Sequence, residues 1–270
     1  AFPMGTSQRN TGTVVFDNPN RKQPYTHQMT FGYERELAST VSVSVDYVRM
    51  LGRDLFLRHN LNPLSRIGMS RTDPVSRSDV FGILNDTYSG NVWTPESVGT
   101  STFNALNFML EKRYSNNYAA RVSYSLSKAN TDAVYFTSAN WAQVGTVLNQ
   151  DQLWGPSPFT RLHNLTISGR TVLPGGVTVS GVARYMSGEP FQITNSAIDG
   201  NMNGIGPDPS PSGTYSGSGN NAITVKNDGG AFGAVGPNFV QLDMRFGYRV
   251  RPGTGNTLDI FFDIFNITQI

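Results

Sequence analysis

The chain of 270 residues contains no cysteine, and it is poor in charged side chains. Charged residues make up 15% of it, against about 25% in a typical soluble domain. A chain without thiols avoids stray disulfides in an oxidising periplasm, although cytosolic chains without cysteine are also common. The formal net charge of +2 provides no global field that would attract nucleic acid, so we expect no nucleic-acid partner.

Long apolar runs are also missing. No window approaches the run of about 18 apolar residues that a membrane-spanning helix needs, which excludes such a helix. A transmembrane β-barrel stays open, because its strands alternate between polar and apolar residues and never give such a run. Gly, Ser, Thr and Asn take the place of the missing charge, and these residues favour strands and turns over helices.

Alternation with a period of two residues is the dominant pattern. Tyr118, Val122 and Leu126 share one face of a strand, whereas Arg121 and Ser125 share the other. The segments run about ten residues, which is long for a soluble strand and sufficient for a tilted bilayer crossing. The pattern predicts four hairpins and two short extra strands. The hairpins pair 25–35 with 41–50, 103–113 with 118–127, 163–172 with 177–187 and 239–250 with 257–267; the extra strands are 13–16 and 55–58.

The connections between these strands alternate between short and long. Short links fall at 36–40, 114–117, 173–176 and 251–256, and long ones at about 61–102, 129–160 and 195–238. Three long loops are unusual in a compact soluble domain, but outer-membrane barrels combine tight periplasmic turns with long extracellular loops. We therefore expect the second strand of each hairpin to run outward.

Five stretches, in order, resemble a known family. They read QMTFGYEREL with VSVSVDY, LEKR with VSYSLSKA, WGPSPFTRLHNLTISG, Gly181–Phe191 and LDIFFDIFNIT. These stretches are similar to the C-terminal barrel region of TonB-dependent outer-membrane receptors, in particular those with an N-terminal carboxypeptidase-regulatory-like domain. The chain shows no signal peptide, and both of its ends are interpreted as cut.

The resemblance implies an all-β, antiparallel transmembrane barrel of about 22 strands with a plugged lumen. Residues 1–270 would form a partial barrel domain of about eight strands, and the plug and the TonB-contacting segment would lie upstream of them. The implied function is energised substrate uptake, with long loops forming the ligand mouth. The implied partners are outer-membrane lipid, TonB for the full-length protein and an extracellular ligand of unknown identity.

Other interpretations stay open on the residues alone. A non-transporting surface barrel of adhesin type has the same strand pattern, and so does a closed barrel of eight strands in which every edge is paired. A secreted sandwich that binds carbohydrate is a further alternative. An enzyme is not expected: the three histidines show no metal-ligand spacing, and no Gly-x-Ser-x-Gly elbow accompanies the serine-rich strand faces.

One segment resembles the first half of a calcium loop. Asp199, Asn201 and Asn203 alternate before Gly204, so their oxygens can converge on one cation, and Asp208 adds a carboxylate. Ser210 stands where a bidentate Glu is expected, and a polar loop whose Asn and Gly residues form turns is the alternative. No other cofactor is expected.

A set of charged residues lies opposite the apolar rows of the predicted strands. We expect these side chains to face the barrel lumen and to form a cross-strand network. They are Asp46, Glu111, Arg113, Arg121, Arg184, Asp243, Arg245, Asp259 and Asp263.

Overall fold

The structure is a computed structural model, and it is built from strands. It describes residues 14–15, 17–60, 64–66, 81–83, 92–133, 154–195, 208–210, 212–216, 222–226, 232–253 and 255–268. No helix in these ranges is long and apolar enough to cross a membrane. The main strands are β2 (Tyr25–Ala38), β3 (Val41–Asn60), β6 (Val92–Ser115), β7 (Tyr118–Thr131), β9 (His163–Val172), β10 (Val177–Met186), β17 (Phe239–Val250) and β18 (Leu258–Ile264).

Ten short strands complete the described fold. They are β1 (Val14–Val15), β4 (Leu64–Arg66), β5 (Phe81–Ile83), β8 (Gly155–Pro156), β11 (Pro190–Phe191), β12 (Thr194–Asn195), β13 (Asp208–Pro209), β14 (Gly213–Ser216), β15 (Ala222–Val225) and β16 (Ala234–Val235). Of these, β1 and β8 join the main sheet, and the others pair in twos as β4–β5, β11–β16, β12–β13 and β14–β15.

The main strands form one sheet in the order β18-β17-β10-β9-β7-β6-β3-β2. Each of these neighbours is antiparallel, so the chain runs up and down through the sheet. The four predicted hairpins and the antiparallel all-β class are confirmed. The long connections leave β3, β7 and β10 at one end, and the short turns lie at the other. Within the described residues, β2 and β18 are the two edges of this sheet.

One face of the sheet is apolar, and it is exposed. The cross-strand register aligns Tyr33, Val45, Phe108, Tyr124, Leu165, Tyr185 and Val240 in a single row. Large apolar side chains remain open along this face, for instance Phe31 at 67% and Phe262 at 63% exposure. A soluble sandwich would bury such rows beneath a second sheet. In the ranges described, the other sheets have only two strands each.

Two sequence expectations need correction at the long-loop end. Residues 55–58 do not form a separate strand but continue β3 past a register shift between Gly52 and Leu55. Strand β6 begins at Val92, about ten residues before the predicted start, although Pro95 breaks the alternation there. Pro95 pairs with β3 on one side, and the pairing of β7 with β6 reaches only Ser101. On the other side β1 pairs with Val92 and Trp93, but no strand of the described residues pairs with Pro95 there, so the missing N–H of proline is tolerated.

A two-residue turn sets the position of β7. Asn116 and Asn117 join β6 to β7 with φ angles of 51° and 66°, the left-handed conformation that tight hairpins require and asparagine accepts. The carbonyl oxygen of Asn117 accepts hydrogen bonds from the Val172 amide at 2.8 Å and the Thr171 hydroxyl at 3.1 Å. The turn therefore also anchors the end of β9.

We expect Asn117→Val to lower the free energy of unfolding by about 1–2 kcal/mol, since a branched residue at positive φ is strained. Asn117→Gly is the matched control and should unfold as the unaltered protein does, because glycine adopts this conformation freely. The measurement is a urea titration of both variants. Equal midpoints for the Val and Gly variants would show that the left-handed turn is not required.

Candidate functional site: the polar wall of the sheet

The face opposite the apolar rows carries the predicted charged residues. Residues that pair directly across two strands project to the same face, so the register assigns the side of each residue. The register assigns no face to Arg113, because the regular pairing of β6 with β7 ends one residue earlier, at Lys112 and Ala120. The other members of the predicted set all share the polar face. They are Asp46, Glu111, Arg121, Arg184, Asp243, Arg245, Asp259 and Asp263.

Three cross-strand ion pairs lie on this face. Arg121 donates to Glu111 across β7 and β6 at 2.5 Å. On β17, Arg245 donates to both carboxylate oxygens of Asp263, at 2.5 and 2.9 Å. Arg249 does the same with Asp259, at 2.6 and 3.0 Å. The two-pronged geometry matches the guanidinium fork to the carboxylate and fixes the register of β17 against β18.

A concavity of about 760 Å³ opens on the half of the polar wall nearest the short turns. Its lining contains Glu111, Arg121, Arg245 and Asp263 from the ion pairs, and other charged groups beside them. Those groups are Lys112, Arg113, Arg170 and Asp243. The register places Lys112 on the apolar side with Leu110, and its amino group lies 4.2 Å from the centre of the Tyr118 ring. Once Lys112 and the two ion pairs are set aside, two cations face one carboxylate. The concavity therefore offers an excess of positive charge to whatever fills it.

The remaining charges in the concavity are held in place by neighbours. Asp243 accepts hydrogen bonds from the Gln241 amide group at 2.9 Å and from the Asn266 backbone at 2.8 Å. The Arg170 guanidinium lies 5.2 Å from the centre of the Tyr114 ring, within cation–π range. This anchoring leaves Arg170 able to meet an acidic group without a large change of conformation.

The middle of the polar wall is mostly uncharged. A smaller concavity of about 330 Å³ is lined there by Ser123, Ser125, Asn164, Thr166 and Asp46, among others. Hydroxyl and amide groups suit a surface wetted by water.

A hydrogen-bonded cluster closes the long-loop ends of β9 and β10. Arg161 donates to the Ser187 carbonyl at 2.7 Å and to the Glu189 carboxylate at 2.8 Å. Its own carbonyl accepts from the Ser127 hydroxyl at 2.9 Å, and the His163 amide donates to the Ser187 hydroxyl at 3.0 Å. The His163 ring and the Tyr124 hydroxyl are joined by a 2.8 Å hydrogen bond, so this histidine packs at the end of its strand.

Sequence reasoning missed several members of the wall. Arg170 and Arg249 fall on polar rows, so the alternation that identified Arg121 and Arg245 had the signal to find them. The partnership of Arg161 with Glu189 had no such signal, because 28 residues separate the two and no periodic pattern links them.

The predicted calcium residues are not tested by the structure. Asp199, Asn201 and Asn203 lie outside the described residues. The backbone of Asp208 pairs with Asn195 in the short β12–β13 ladder, and its side chain is likewise outside the description. The described part of the chain contains no group of three or more His, Cys, Asp or Glu residues arranged to hold a metal. Calcium binding therefore stays a prediction.

The chain matches a protein family and resembles a solved structure. A family described as "Outer membrane beta barrel domain" matches residues 2–269. The fold also resembles the crystal structure of the outer membrane transporter YddB from Escherichia coli, with a TM-score of 0.52 and 11% sequence identity. That alignment covers 97% of this chain and 31% of YddB, so the chain spans about a third of the length of that structure. No curated protein matches the chain.

Arg245 lies directly opposite Asp263, so variants that exchange the two charges test their ion pair. We expect Arg245→Asp to lower the urea midpoint, since it places two carboxylates directly opposite each other, and Asp263→Arg to lower it by pairing two cations. The double variant should recover most of the loss, because it restores an ion pair across the same two strands. The differences should shrink in 1 M NaCl, where the Debye length is about 3 Å. A double variant no better than the singles would contradict the pairing.

Proposed function

We propose that this chain, which belongs to the outer membrane beta barrel domain family and so lies in the outer membrane of a bacterium, forms part of the wall of a TonB-dependent transporter. The observation that supports this proposal is the sheet whose edge strands, β2 and β18, have no outer partner among the described residues. The transporter that it resembles is about three times longer, which leaves room for further strands and a plug. Its wall would separate lipid on the apolar face from a filled lumen on the polar face.

The edges argue for a larger barrel than eight strands. Unpaired backbone groups in the hydrocarbon core cost several kcal/mol each, so lipid-exposed sheet edges do not occur. Phe31 and Tyr33 on β2 are more than half exposed, as are Phe261 and Phe262 on β18. We therefore infer that further strands pair with β2 and β18 in the complete protein, which disfavours the closed barrel of eight strands.

The polar wall suits contact with a plug. A plug segment must be held firmly enough to close the pore and loosely enough to move during uptake. Exposed ion pairs meet both needs, because each contributes little and water or another charge replaces it readily. The excess of cations around Arg113 and Arg170 favours an acidic plug segment as the partner of the 760 Å³ concavity.

The long connections would form the mouth that receives the extracellular ligand. They all leave the same end of the sheet, and the Arg161–Glu189 cluster ties the start of one to the end of another. We propose no catalytic role for this region, and we propose TonB, outer-membrane lipid and the ligand as its partners.

A photo-crosslinking experiment tests the filled lumen. We expect a benzophenone amino acid in place of Ser123, in the full-length protein, to crosslink within the same polypeptide to a segment outside residues 1–270. Ser123 lies on the polar wall opposite Thr166. The neighbouring Val122 projects to the apolar face, so the same amino acid there is the matched control and should give only lipid adducts. Mass spectrometry identifies the linked peptides.

The outcomes separate the proposed transporter from its alternatives. Intramolecular crosslinks from position 123 together with retention of the full-length protein on immobilised TonB periplasmic domain support a TonB-dependent transporter. Crosslinks from neither position, with no retention, favour a surface barrel of adhesin type. Crosslinks from position 122 to protein would show that the two faces have been assigned the wrong way round.

A second prediction tests the lipid-facing side. We expect Leu110→Arg to destabilise the folded protein by about 1–2 kcal/mol. The cost of a cation on the lipid face falls from about 2–4 kcal/mol at the bilayer midplane toward zero at the interface. Leu110 pairs with Val43, the third residue of β3, and so lies between the two. Met109→Arg is the matched control: Met109 pairs with Ser44 and Ser123 on the polar wall, where an added arginine remains hydrated. Urea titration in lipid vesicles measures both. Equal losses would contradict the assignment of faces.

A further inference from the structure

The apolar face carries an isolated row of donor groups at its long-loop end. Asn104 of β6 lies between two cations: it pairs with Arg49 of β3 on one side and with Lys128 of β7 on the other. The row directly below consists of Tyr47, Leu106 and Leu126. Adjacent strands lie about 4.8 Å apart, so the two cations stand about 10 Å from each other on the lipid-facing side.

The depth of this row in the membrane follows from strand length. Arg49 is the ninth residue of β3, counted from the short-turn end, and Lys128 is the eleventh residue of β7. A tilted strand crosses the hydrocarbon layer in about 9–11 residues. Both side chains therefore reach the boundary between acyl chains and headgroups, on the side of the long connections. That side is extracellular in outer-membrane barrels.

The charges of this row are not matched by the protein. On the polar wall, Arg121, Arg245 and Arg249 each face a carboxylate directly across a strand. Arg49 and Lys128, by contrast, are exposed and have neither an ion pair nor a hydrogen bond among the described residues. Both lie beside an amide, Asn104, and not beside an acid.

Two carboxylates at this end of the sheet already have partners within the protein. Asp132 accepts hydrogen bonds from the Thr100 amide at 2.6 Å and the Thr100 hydroxyl at 3.3 Å. Glu189 accepts a hydrogen bond from the Arg161 guanidinium at 2.8 Å. The further cation, Arg53, donates to the Gly52 carbonyl at 2.9 Å. The positive charge at Arg49 and Lys128 thus remains open to an external anion.

Asn104 is oriented by its neighbour. Its side-chain oxygen accepts a hydrogen bond from the Tyr47 hydroxyl at 3.0 Å. With the oxygen engaged, the amide nitrogen is the group that remains to donate. The row therefore presents a guanidinium, an amide and an ammonium, all of them donors.

We propose that Arg49, Asn104 and Lys128 bind the phosphate-bearing headgroup of an anionic lipid in the outer leaflet. Guanidinium and ammonium groups at a membrane boundary attract anionic lipid, and arginine grips phosphate with two parallel donors. The apolar row below favours a lipid over a soluble anion. Tyr47, Leu106 and Leu126 are 36%, 43% and 37% exposed and offer a surface for an acyl chain under the headgroup.

Native mass spectrometry of the full-length protein in neutral detergent tests this site. The probes are phosphatidylglycerol, zwitterionic phosphatidylcholine and inorganic phosphate. We expect the protein to retain phosphatidylglycerol in preference to phosphatidylcholine and to show no retention of inorganic phosphate. The double variant Arg49→Gln/Lys128→Gln should weaken phosphatidylglycerol binding by about 25-fold, since each basic residue near an anionic surface contributes about fivefold.

Two further variants serve as controls. Arg49→Lys/Lys128→Arg preserves both charges and should keep the preference. Arg184→Gln removes a charge from the polar wall and should leave lipid retention unchanged. Each variant is checked for folding by its shift on unheated gels.

The site is overturned if the double glutamine variant folds and retains phosphatidylglycerol as the unaltered protein does. It is also overturned if Arg184→Gln loses as much lipid, or if inorganic phosphate binds as well as the lipid. The last result would point to a soluble anion. None of these outcomes depends on transport, so failure here leaves the proposed function standing.

Discussion

Pairing of the backbone between neighbouring strands is the constraint on which the rest of this structure depends. In a bilayer no water is present to satisfy an amide or a carbonyl group, so each strand must be bonded by the strands beside it. The ladder between β9 and β10 runs without a break from Thr178 and Val172 to Met186 and Asn164. Pairing of this kind locks the side on which every residue projects. A slip of one residue would carry Arg170 and Arg184 into the lipid.

The two faces of the sheet meet different environments, and their side chains differ accordingly. On the lipid side, apolar side chains need no partner, and they remain exposed in rows such as Phe246 with Phe262. On the polar side, charges stand directly opposite one another, as Arg245 and Asp263 do. Directly opposed side chains are close enough to couple, so the same register that satisfies the backbone also assembles the ion pairs. Arg49 and Lys128 lie on the lipid-facing side, at the boundary between acyl chains and headgroups.

Much of this arrangement could be predicted from the sequence, because alternation and backbone pairing share one period. The four hairpins and the side of residues such as Arg121 and Asp243 follow from that period alone. The continuation of β3 beyond Gly52 and the start of β6 at Val92 do not follow from it, since two register shifts and Pro95 interrupt the alternation there. The cluster of Arg161, Ser187 and Glu189 depends on how two strand ends meet, which no local pattern encodes.

Under the proposed function, the same constraint determines where a transporter can acquire specificity. In a strand of the wall, every second side chain contacts lipid and the backbone pairs with the neighbouring strands. Only the remaining side chains, those on the polar face, are free to vary in chemical type. Those that face the lumen, such as Ser123 and Thr166, must also fit whatever fills the pore. The connections at the outer end are required neither to face lipid nor to fit the material that fills the pore. Ligand selection should therefore reside in those connections, and clusters such as Arg161 with Glu189 would hold their bases in place on the wall.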